Sequence, residues 1–208
     1  MMISEYFLHF LSDVGESSVL LAMIIVGCLY LSLLHRFREA GAVLLSFFIS
    51  SVAIAILKLG FIGCTNGQHD IVSPSGHTAL SISVYGVFSM LVFIRIKRRI
   101  RYVIPFITLA LTSMIGASRV IQNLHSVNEV IVGAGVGLLT LCCVWYFLLY
   151  NKRDIVHARR EPRLIRVYAL PVLMMMTIFL MIGTKLPAED IIKKMALLMK
   201  GQVDYCQD

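Results

Sequence analysis

The 208 residues are 58% hydrophobic and only 15% charged, where a soluble domain carries about 25% charged residues. Apolar runs close to the ~20 residues needed to cross a hydrocarbon core recur along the chain, and none alternates in polarity as barrel strands do. The net charge of +7 sits mostly in three short linkers, which argues against a nucleic-acid surface and for a polytopic helical membrane protein of one domain.

In chain order, residues 1–16 repeat Phe7, Phe10, Leu11 and Val14 at helical spacing among Glu5, Asp13 and Glu16. So short a stretch predicts an interfacial helix on the outer side. It has no basic flank, so a cleaved signal peptide is not expected. A first span follows over about 17–34, ending in His35-Arg36-Phe37-Arg38. The second covers about 40–63, with Lys58 near its far end, and leads into a Gly-, Asn- and Ser-rich outer loop over 64–76. The third runs from His77 to about 94 and stops at Arg95, Lys97, Arg98, Arg99 and Arg101.

The fourth span, about 102–122, carries Ser118 and Arg119 at its outer end; the fifth, about 127–150, follows a link bearing His125. A basic linker with Pro162 leads to a sixth over about 167–183. From Pro187 the tail predicts an amphipathic interfacial helix with Ile191, Met195, Leu198 and Met199 on one face. The expected fold is thus an all-α bundle of about six transmembrane helices, with interfacial helices at both termini. Motifs lie within about 40–150, and an extra span and tail occupy 167–208.

The basic residues cluster in every second linker, as cytoplasmic loops require, which places both termini outside. Trp145, Tyr146 and Tyr150, with Tyr30, Tyr102 and Tyr168, fall at the cytoplasmic ends as an aromatic belt. Cys28, Cys142 and Cys143 lie within apolar runs. Only Cys64 and Cys206 share the outer side, and no metal-binding cysteine spacing occurs. Gly133, Gly135 and Gly137 permit close helix approach, inside the bundle or across a homodimer.

With this topology Lys58, Ser75, Gly76, His77, Ser118, Arg119 and His125 all fall at the outer ends of spans two to five. Lys and Arg there suit a dianion, as a point charge and a bidentate fork. Gly76 lets backbone approach a ligand, and His77 opens a helix whose first amides favour anions. Two histidines divide the labour of nucleophile and proton donor. Glu129 lies four residues after His125, where its carboxylate can orient the ring.

At these residues the chain resembles the type 2 phosphatidic acid phosphatase superfamily, which includes glucose-6-phosphatase and vanadium haloperoxidases. Its second motif is complete at Pro74-Ser75-Gly76-His77. The third has its spacing at Ser118-Arg119, His125 and Glu129, with Glu standing where the family has Asp. Of the first, Lys58 is present, while the Arg-Pro positions hold Thr65 and Asn66. The resemblance covers about 40–150 and implies His125 as nucleophile, His77 as acid and Glu129 as the group orienting His125. It further implies phosphate contacts from Lys58, Ser75, Gly76 and Arg119, and no metal or other cofactor; beside these, Ser118 is counted as a phosphate contact and His69, in the same outer loop, as an auxiliary group in place of the missing Arg.

The reading expected here is a phosphohydrolase of membrane lipid phosphates, in a bacterial plasma membrane with its site facing outward. A lipid-to-lipid phosphotransferase, a non-catalytic lipid-phosphate binder, and a metal site built from His69, His77, His125 and Glu129 are the alternatives.

Overall fold

The computed structural model describes residues 2–64, 73–96, 99–149 and 164–184. Thr65, Asn66, His69, the linker over 150–163, the tail from 187 and the side chains of Cys64 and Cys206 lie outside the described residues. In chain order the helices are α1 (Met2–Val14), α2 (Ser17–Leu33), α3 (Phe37–Cys64), α4 (Gly76–Arg95), α5 (Val103–Ile121), α6 (Val127–Leu149) and α7 (Leu164–Met181), with a 3-10 turn at Arg99–Tyr102 before α5. The described residues form no strand.

Two ends show how sequence stops these helices. At the end of α2, His35 takes φ 56°, the Arg36 amide reaches back to the Leu31 carbonyl at 2.8 Å, and the His35 amide to Ser32 at 2.9 Å. This is a Schellman ending, which satisfies carbonyls the helix would otherwise orphan. At the end of α5, Asn123 takes φ 56°, and its amide reaches the Val120 carbonyl at 2.9 Å while that of Leu124 reaches Arg119 at 3.0 Å. Asn tolerates this left-handed conformation better than most side chains.

α4 is the centre of the bundle. Of its apolar window 78% is inside the protein, against 33%, 28% and 22% for α3, α5 and α6. It packs on α2, α3, α5 and α6. Its buried face mixes Ser81, Ser83, Ser89 and Thr78 with Val84, Val87 and Phe88. Small side chains let helices approach where no hydrophobic drive separates helix from lipid. A Cβ on Gly86 would lie 2.4 Å from Leu141 of α6, and one on Gly137 would lie 2.9 Å from the Ala79 carbonyl. Gly133 and Gly137 thus serve packing within the chain, whereas Gly135 faces open space.

α7 packs on α2 through Leu170 and Met174. Gly27 makes the contact close, since a Cβ there would sit 2.5 Å from Phe88 and 3.4 Å from Met174. The Ser18 hydroxyl donates to the Thr184 carbonyl, so the start of α2 and the end of α7 share one end of the bundle. At the opposite, basic end, Arg38 donates to the carbonyls of Phe147 and Leu148 at 2.7 and 2.9 Å, capping the last turn of α6. Arg95 pairs with Glu39 there. Residues expected to set topology therefore also tie helix ends together.

Among the described residues four or five spans meet the length and hydropathy of a membrane crossing, against the about six expected. α3, α4, α5 and α6 are each long and apolar enough to cross a membrane, and α1 with α2, bent by 45°, can make a fifth. The described apolar part of α7, Ala169–Met181, is shorter. α1 also departs from a simple surface helix: Leu11, Ser12 and Val14 are buried, and the helix packs on α5 and α2. Its amphipathic pattern fitted lipid or protein equally well.

Candidate active site

The turn after α5 delivers His125. The amides of Leu124 and His125 both reach back to the Arg119 carbonyl, at 3.0 and 3.3 Å. Arg119 therefore supplies the anchor that reverses the chain, and this gives the five-residue gap between Arg119 and His125 a physical basis. α6 then opens with a capping box. The Ser126 hydroxyl accepts from the Glu129 amide at 3.3 Å, and the Glu129 carboxylate accepts from the Ser126 amide at 2.9 Å.

Glu129 does more than cap. Its Oε2 pairs with His125 Nδ1 at 3.0 Å, and its Oε1 accepts from the Ser73 amide at 2.6 Å. Its backbone carbonyl accepts from the Ser75 amide at 3.1 Å. One residue thus fixes the His125 ring, starts α6 and holds the Pro74-Ser75-Gly76-His77 segment against it. Reaching back to the N-cap amide is what Glu does at this helix position; Asp, one methylene shorter, suits it less. The departure from Asp therefore has a structural reason.

Ser75 is the N-cap of α4, its hydroxyl bonded to Thr78 Oγ1 at 3.0 Å. It is fully buried, because Gly133 leaves room: a Cβ there would stand 2.4 Å from the Ser75 carbonyl oxygen. Gly76 and His77 follow as the first helical residues, with their amides at the positive end of the α4 dipole. Lys58, 4% exposed on α3, brings Nζ to 4.0 Å from where a Gly76 Cβ would be. Bare backbone and an ammonium group thus stand side by side.

Arg119 is buried at the end of α5, and its Nη1 donates to Ser12 Oγ at 2.8 Å. Ser118 is fully buried and donates its hydroxyl to the Ile115 carbonyl at 2.7 Å. In this arrangement the Ser118 hydroxyl proton goes to the helix backbone. His69 lies outside the described residues. The sequence reading passed over Glu16: its Oε2 lies 2.9 Å from His77 Nε2 and 3.9 Å from Arg119 Nη2. Nothing in local spacing could reveal a pair 61 positions apart. Among the described residues no three His, Cys, Asp or Glu side chains gather as metal ligands would.

Two histidines, each held by a carboxylate, therefore stand with two buried cations and a helix N-terminus at one end of α3–α6. Residues 57–153 match the model of the PAP2 superfamily. The matched PAP2 stretch takes in Lys58, the segment from Ser73 to His77, Arg119, His125 and Glu129; Glu16 lies before it. Across 194 residues the chain is 27% identical to an "uncharacterized 22.5 kDa protein in cps region" of Klebsiella pneumoniae, covering 89% of this chain and 88% of that one. No solved structure matches.

Proposed function

We propose that the protein is an integral membrane phosphohydrolase that removes phosphate from a lipid phosphate or diphosphate through a phosphohistidine intermediate. The match of residues 57–153 to the PAP2 superfamily supports a phosphatase-type activity. The observation that carries the mechanism is the pairing of His125 Nδ1 with Glu129. With Nδ1 held as the protonated nitrogen, Nε2 keeps its lone pair for attack on phosphorus.

Lys58, Arg119, the Ser75 hydroxyl and the amides opening α4 would take the phosphoryl oxygens, where charge develops in the transition state. His125 Nε2 forms a bond to phosphorus as the ester P–O bond breaks, and His77 donates a proton to the departing oxygen. His77 then accepts a proton from water, whose oxygen attacks phosphorus and breaks the P–N bond. This releases inorganic phosphate and restores both rings. The cycle returns every proton without calling on a metal.

A lipid substrate is supported by an apolar cleft of about 680 Å³ between α5 and α6, floored by α4. It begins at Thr78, Gly116 and Val130, within one to three positions of site residues, and extends to Phe93, Tyr102 and Trp145 towards the basic end. Such a cleft suits an acyl or isoprenoid chain, with the headgroup at the site. The positive-inside distribution would put that site on the outer face of a bacterial plasma membrane.

The test is phosphate release by purified protein from a phosphatidate, an isoprenoid diphosphate and a soluble sugar phosphate, with His125→Ala as control. Turnover of a lipid phosphate is expected to persist in chelator and to fall more than about 1,000-fold in His125→Ala. Full activity in His125→Ala would overturn the mechanism, and loss of activity on chelation its metal independence. If phosphate were released only when an acceptor lipid was added, the phosphotransferase reading would replace hydrolysis.

A further inference from the structure

The corner between α1 and α2 is built onto the site. The Gln122 amide side chain donates to the Leu8 carbonyl at 3.0 Å, the Tyr85 hydroxyl to the Val14 carbonyl at 2.8 Å, and Arg119 to Ser12 Oγ at 2.8 Å. Gly15 lets the corner close, since a Cβ there would lie 2.6 Å from Ile115 Cγ2. These ties leave Glu16 little freedom: its side chain is 13% exposed and directed at His77 Nε2.

Charged groups stand near His77 on several of the surrounding helices: Lys58 beside Gly76, and Arg119 within 3.9 Å of Glu16. Lys58 on α3 and Arg119 on α5 are cationic, and on α6 the Glu129 carboxylate is committed to His125 and two amides. Two cations near an imidazole disfavour its protonated form. A general acid must hold its proton before the leaving group departs. The Glu16 carboxylate lies within hydrogen-bond distance of His77 Nε2, at 2.9 Å.

We propose that Glu16 is a positioning residue that keeps His77 protonated and aims its ring at the leaving oxygen, as a second histidine–carboxylate pair beside His125–Glu129. The proposal rests on the phosphohydrolase reading for its catalytic consequence, but not for its effect on His77. The α1–α2 corner then belongs to the catalytic unit, although it lies outside the matched family stretch.

Two readouts test it. In detergent-solubilised full-length protein, the NMR titration of the His77 ring is expected to move to lower pH in Glu16→Gln. The Glu16→Asp variant, which retains the charge on a shorter arm, is expected to give a smaller shift. An unchanged His77 titration in both variants overturns the proposal. With a lipid phosphate substrate, kcat of Glu16→Gln should fall about 10- to 100-fold. The alkaline limb of its pH profile should shift to lower pH, and Glu16→Asp should recover part of the loss. A lower KM at undiminished kcat, with an unmoved profile, would instead make Glu16 a plug on the phosphate site and overturn a positioning role. The titration needs no substrate, so failure to find any turnover would sink the phosphohydrolase reading while leaving the test of Glu16 intact.

Discussion

Glu129 joins three functions usually spread over several residues: helix cap, loop clamp and ring orienter. Replacing it tests which matters most. Glu129→Gln keeps the shape but loses the charge that stabilises a protonated His125, and kcat is expected to fall about 100-fold or more. Glu129→Asp keeps the charge yet cannot reach all its partners. It should lower kcat less and cost about 1 kcal/mol of stability through the weakened cap, measured by thermal unfolding in detergent. The histidines, Arg119 and Lys58 could be read from residue type and spacing alone. Spacing does not show that the Ser118 hydroxyl donates to the carbonyl three residues before it.

Among the helices, close approach is decided by particular glycines. Gly133 and Gly135 look alike in sequence and differ completely in space. A methyl on Gly133 would strike the Ser75 carbonyl oxygen at 2.4 Å, whereas one on Gly135 would meet nothing within 4 Å. Gly133→Ala is therefore expected to displace the segment bearing His77, costing about 1–3 kcal/mol and most of the activity. Gly135→Ala should leave activity intact and raise helix stability by as much as about 1 kcal/mol. Equal effects of the two substitutions, in phosphate release and in thermal unfolding, would contradict the packing described. Helix identity and rough boundaries were legible because long apolar runs end at basic clusters and turn residues. The pairing of α4 with α6 was not, since it depends on which side of each helix is bare.

For the molecule as a whole, the consequences concern the cleft and the two ends of the bundle. Ala134 lines the cleft between α5 and α6, and Ala134→Phe should fill part of it. The ratio of kcat/KM for long-chain over short-chain lipid phosphates is then expected to fall about 10-fold or more, one to a few methylenes of contact at a time. An unchanged ratio would place the lipid chain elsewhere. The Ser18–Thr184 bond sets the start of α2 and the end of α7 at one level. Cysteines introduced near both positions should react from the same side of a sealed membrane, the side opposite those in the basic linkers.

Composition and charge by themselves determined a helical membrane bundle and the end of it at which the candidate site residues gather. Both follow from the energy of placing apolar and charged groups relative to lipid, which depends on residue type and run length. Motif spacing likewise located His77, Arg119 and His125, because a helix ending and a helix start each act over a few residues. Tertiary structure alone decided the 45° bend between α1 and α2 and the burial of α1 against the bundle. It alone revealed Glu16 at His77, since a contact spanning 61 positions exists only once α1, α2, α4 and α5 have packed together.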